Sequence, residues 1–159
     1  MRPTPAAMAS PVVAAIVTAA AAEMTGPLAD VAVLDSIDPA QAYAARSLTV
    51  GGAFDEDLGI SGTEAVLTTT DERGAGRRVV ETTSVACVAY AGGGDLDLPG
   101  YRAQASAIVT ALRAALRRLT NVDGVPARAQ LTDQSWLQLR TEDGDGVIVD
   151  LTVLVISLP

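Results

Sequence analysis

The stretch from Tyr101 to Leu119 constrains this chain more than any other. Tyr101, Ala105, Ile108, Leu112, Ala115, Leu116 and Leu119 recur at spacings of three and four, which is the repeat of one helical face. Pro99 opens the segment, and Asn121-Val122-Asp123-Gly124 with Pro126 stops it. Arg102, Arg113, Arg117 and Arg118 lie mainly off the stripe, the last three where the helix dipole favours cations. A helix of roughly 21 residues is about 31 Å long, enough to lie across a whole sheet.

The rest of the chain supplies that sheet. Val31 to Ser36 reads as a short strand, and Ser47 to Phe54 as a second one running into Gly51-Gly52, where the backbone can bend. Asp55 to Gly62 carries three consecutive acids and two glycines and is expected to be a loop. Thr63 to Thr70 and Arg78 to Ala91 are β-branched and alternating. Asp71-Glu72-Arg73-Gly74-Ala75-Gly76 between them is a turn, so the two form a long hairpin. Ala127 to Asp133 and Gln134 to Thr141 are strand-like. An acidic glycine turn, Glu142 to Gly146, then leads into a last strand, Val147 to Leu158.

A second helix is expected near the start. Ser10 is a good N-cap and Pro11 a good first helical residue, and Gly26-Pro27 ends the helix after Met24. Residues 1–9 are expected to form a flexible amino terminus. Ala20-Ala21-Ala22 resembles a signal-cleavage site, but the stretch before it lacks a leucine-rich core and keeps helical spacing at Val12, Val13, Ile16 and Val17. The fold class is therefore α+β: a mostly antiparallel sheet with a long hairpin, packed by helices over about 10–24 and 99–120, in one domain spanning 10–159.

The last strand carries a further message. Val147, Val149, Leu151, Val153 and Val155 line one face, while Ile148, Leu154, Ile156 and Leu158 line the other, interrupted by Asp150 and Thr152. Such a strand is either central and covered twice, or half covered by another subunit. With two helices available, the second arrangement carries weight.

Composition narrows the chemistry. There is no histidine and no lysine; eleven arginines face nineteen carboxylates, for a net charge of −8. Without imidazole, Ser–His–Asp, Cys–His and HExxH chemistries are excluded. A net negative domain repels nucleic acid rather than gripping it. No phosphate-cradling glycine loop occurs, and Gly92-Gly93-Gly94 has no lysine after it. The clusters Asp55-Glu56-Asp57, Asp95-x-Asp97 and Asp143-x-Asp145 complete no EF-hand and read as solvated turn acids. Carboxylate-pair catalysis needs an aromatic-lined cleft, and only 3% of residues are aromatic. No catalytic, cofactor-binding or metal-binding residue is assigned, and no cofactor is expected. Cys87, inside the apolar run Val85 to Ala89, reads as a buried inert thiol. Trp136, the single tryptophan, is either a core filler or an interface anchor.

The element order of the second half is similar to that of the tail-terminator proteins of long-tailed bacteriophages. It runs from the apolar strand Val85–Tyr90 through a Gly/Asp loop and the long Ala/Leu/Arg helix to the Asn121-Val122-Asp123-Gly124 stop. A strand carrying Ala127-Arg128-Ala129 and a closing strand after the acidic turn complete it. The first half is compatible, with an opening helix, Val31-Ala32-Val33, and Leu48 to Phe54 before an acidic loop. The resemblance implies a non-enzymatic virion protein of the tail or neck, assembled in the host cytoplasm. It would form a ring, expected to be a hexamer, on the last tail-tube ring, end tube polymerisation and offer the head-docking surface. Its partners would be copies of itself, the tail-tube protein and a head-completion protein, with DNA passing through the lumen unbound and no membrane involved. Interface or lumen candidates are Phe54, Asp55, Glu56, Asp57, Trp136, Leu154 and Ile156. Another neck ring protein, a non-viral acidic protein-binding module and a small carboxylate hydrolase are the competing readings.

Overall fold

The computed structural model describes residues 5–35, 45–55, 59–61, 68–73 and 79–157. Its elements are helix α1 (Pro5–Glu23), strands β1 (Ala32–Asp35), β2 (Arg46–Val50), β3 (Ala53–Asp55), β4 (Gly59–Ser61), β5 (Thr68–Arg73) and β6 (Val79–Gly92). Helix α2 (Leu98–Arg118) and strands β7 (Asn121–Val122), β8 (Val125–Thr141) and β9 (Gly144–Ser157) follow. The fold is α+β, as expected.

The long helix runs where its periodicity places it. Asp97 caps its start, its carboxylate accepting the Gly100 amide at 3.1 Å. Arg117 and Arg118 occupy its last turn, against the partial negative charge of that end. Ala105, Ile108, Leu112 and Leu116 are buried beneath it.

Helix α1 departs from expectation at its start. It begins at Pro5 and runs through Pro11, so Ser10 is not its cap and residues 5–9 are helical, not irregular. Ala6, Ala7, Met8 and Ala9 are strong helix formers, and they carry the helix upstream although Pro11 forfeits one backbone bond. Val12, Val13, Ile16 and Ala20 form its buried face.

Among the described residues the sheet has seven strands, in the order β1-β2-β6-β9-β8-β7 with β5 also on β6. β1 and β2 are parallel; the other pairs are antiparallel. Strand β6 is long enough to hold two neighbours end to end: β5 pairs with Val79–Ser84 and β2 with Cys87–Ala91. The expected hairpin is present, but Asp71, Glu72 and Arg73 belong to its strand, not its turn. The expected single strand from Ser47 to Phe54 is broken at Gly51, whose φ is +81°, and the Gly51 and Gly52 amides both donate to the Ala86 carbonyl. The expected loop after it contains a small antiparallel pair, β3 with β4.

Register fixes the core. Val147, Val149, Leu151, Val153 and Val155 stand opposite Ala91, Ala89, Cys87, Val85 and Thr83, and Leu48 and Val50 continue the same face. These residues and the stripes of both helices form one cluster, so α1 and α2 cover a single face of the sheet.

Cys87 lies in that core. Burial pushes its thiol up from the ordinary 9.0 to about 12, partly offset by the Gly51 amide. At pH 8 only about 1 in 10⁴ thiols is then ionised, so native protein should be inert to a disulfide reagent that labels the denatured chain within minutes. The unfolded thiol ionises above about pH 9 while the native one keeps its proton. Stability should therefore fall between pH 9 and 12, by up to about 1.4 kcal/mol per unit from this group. Urea titrations of wild type and Cys87→Ala should show that component of the slope in the first only.

Candidate assembly surfaces

The other face of the sheet has no helix among the described residues. Val88 and Ile148 are buried on it, with Tyr90, Leu137 and Leu139 packed around them. Further along β9, Leu154 and Ile156 are half-buried, with Ser84 and Thr82 opposite them on β6 and Gln130 and Arg128 on β8. The two-sided apolar pattern of the last strand is thus resolved: β9 is central, covered by helices on one side and by a partly open apolar surface on the other. Leu158 lies outside the described residues.

Strand β8 is one strand of 17 residues, not two. The ladder to β9 pairs Leu131 with Val153 and Asp133 with Thr152, so Thr132 is an inserted bulge residue. Its hydroxyl donates to the Thr152 carbonyl at 3.3 Å. The bulge shifts the alternation: Ala127, Ala129 and Leu131 face the helices before it, and Gln134, Trp136 and Gln138 after it. Arg113 of α2 donates to the Gln134 side chain there at 3.4 Å. Trp136 is left 41% exposed, which removes it from the core fillers. It lies on the sheet face opposite Leu154 and Ile156, so the candidates do not form one patch. Asp55 lies in β3 beside Phe54, and Glu56 and Asp57 lie outside the described residues.

The end of the molecule where β8 turns into β9 is tightly built. Asp145 has a buried carboxylate gripped by Arg140 through Nε at 3.1 Å and a terminal nitrogen at 3.2 Å. That contact raises the Arg140 guanidinium further, by hydrogen bond first and charge second. The Asp145 carbonyl accepts the Gly93 amide and its amide donates to the Asp95 carbonyl, fastening the glycine loop to the turn. Tyr101 anchors the same loop through a hydrogen bond to Asp95. Leu96, in that loop, is 70% exposed and was not signalled by any periodicity. A lone leucine between two aspartates in a glycine loop was the available clue.

An open groove of about 620 Å³ runs between Pro11, Ala15 and Thr18 of α1 and the segment Arg118–Asn121, and a smaller one of about 170 Å³ sits beside the β8–β9 turn. The first is walled mainly by small side chains, and neither gathers a catalytic set. Among the described residues no three acidic or thiol groups are placed to share a metal ion. No helix among them is long and apolar enough to cross a membrane.

No protein-family model matches the chain, and no curated protein does. A solved structure does: a chain from the virion of native gene transfer agent particle is similar over 96% of this chain and 98% of its own length, with a TM-score of 0.61. The two share a fold. Their sequence identity is 14%, so what they have in common is the path of the backbone, not a set of side chains. The match takes in nearly the whole of both chains.

Proposed function

We propose that this chain is a structural virion protein that forms a ring, a hexamer, on the last ring of a phage-like tail tube. There it ends tube polymerisation and presents the surface on which the head docks. The observation that carries the reading is the end-to-end fold likeness to a chain of a gene transfer agent virion, together with the order of elements that resembles tail terminators. The work is assembly, not catalysis. A half-open apolar sheet face and an exposed tryptophan suit contacts between subunits, and a closed ring buries the same two patches on every copy. The charge of −8 suits a channel through which DNA slides without adhering.

Light scattering and negative-stain microscopy of the purified protein, alone and with tail-tube subunits, test this. The expected result is a six-membered ring, formed alone or on the tube end, with tubes that stop growing when it is added. A protein that stays monomeric or dimeric in both conditions, and leaves tube length unchanged, would refute the reading.

A further inference from the structure

Most of the outer edge of β8 is unpaired among the described strands. Strand β7 pairs with its first two residues, Val125 and Pro126, and beyond them no described strand lies on that side. Pro126 and the Thr132 bulge blunt the start of this edge, as natural edges usually are. Among the described residues nothing blunts the rest. From Gln134 to Leu139 there are six residues without a charge or a proline, about 20 Å of strand.

The direction of its backbone groups follows from the turn. The Asp145 amide and carbonyl both bond to the Gly93–Asp95 loop, so they point away from β8. Asp145 is paired with Arg140, which makes that pair a non-hydrogen-bonded one in the ladder. The main-chain groups of Arg140 therefore face outward, and by alternation so do those of Gln138, Trp136 and Gln134. The grip of Arg140 on Asp145 and the docked loop fix the β8–β9 turn at the end of this edge before any partner arrives, which lowers the ordering cost of pairing.

We infer that the outer edge of β8 at Gln134–Leu139 pairs with a strand of a second copy of this chain, continuing the sheet from subunit to subunit. The chain itself carries the complementary element. Strand β5 ends the sheet on the opposite side, has six residues, and bonds only to β6 among the described strands. Three antiparallel steps separate β5 from β8, so they run in opposite directions. A copy moved sideways thus presents β5 antiparallel to β8. The contact is head-to-tail, the kind that closes into a ring. An uncharged segment also lets two acidic chains approach without opposing their carboxylates. This inference rests on the ring proposed above.

Two variants test it. Gln138→Pro removes one outward amide and spares those of Leu137 and Leu139, which serve the β9 ladder. Gln134→Lys with Gln138→Lys keeps every amide but places edge charges beside Trp136. Both should melt within a few degrees of wild type and assemble at least about tenfold more weakly, and the Trp136 and Gln138 amides should exchange slowly only in the wild-type assembly. Should Gln138→Pro fail to fold, the lysine pair decides. Folded variants that form rings as readily as wild type would overturn the edge contact while leaving the ring intact. A wild type that never assembles, alone or on tubes, would remove the ring and the contact together.

Discussion

Leu112→Ala is expected to destabilise the protein by about 2–5 kcal/mol, a large share of the ~5–15 kcal/mol that holds a domain folded. Leu112 is fully buried near the middle of α2, among the largest side chains sealed between the helices and the sheet. Its truncation removes apolar area from the core and leaves a hole that the surrounding β6 and β9 strands, locked in long ladders, cannot close. In a chain of this length each kcal/mol moves the midpoint by about 2–4 °C, so melting should fall by roughly 4–20 °C. Urea titration should show a lower midpoint at unchanged slope. A loss below about 1 kcal/mol would mean that α2 does not seat on the sheet at this residue.

Gly144→Ala should be of similar size for a different reason. Gly144 has φ of +136°, a region almost closed to other residues, which costs about 1–3 kcal/mol. A Cβ there would also collide with the Gly93 carbonyl oxygen, with the Gly93 carbon and Gly94 Cα at 2.9 Å. Relief requires the glycine loop to lift off the turn, breaking the two backbone bonds that Asp145 makes to it. The total expected loss is about 2–5 kcal/mol. Gly124→Ala is the matched comparison: its φ is +78°, but open space surrounds it, so it should cost about 1 kcal/mol. Equal melting temperatures for the two variants would show that the loop does not pack against the turn. Because that turn anchors the end of β8, Gly144→Ala should also weaken assembly, whereas Gly124→Ala should leave it unchanged.

How far these residues announce themselves varies. Helix α2 was legible because its apolar positions repeat at the helical period over five turns, and no competing pattern fits. The strand character of β6 and β9 was equally plain from alternation and β-branching. The Gly51-Gly52 bend was visible as a place where the chain could turn. Helix α1 starts earlier than its cap signal indicates: Ser10 and Pro11 mark a helix start, yet the helical preference of the four residues before them prevails. The continuity of β8 was hidden by its bulge: Thr132 breaks the alternation, so one strand looked like two. Among the site candidates, Leu154 and Ile156 are half-buried on the face away from the helices, and Trp136 stands on the opposite one.

Local period is a property of neighbouring residues, so the string of amino acids alone set helix α2, strands β6 and β9 and the exclusion of imidazole chemistry. Which side of β9 the helices cover, which edge of the sheet is left bare, and whether Trp136 meets protein or solvent depend on residues far apart in the chain. Those choices were made when α2 packed down and the β8 ladder slipped by one residue at Thr132, and no local pattern records them.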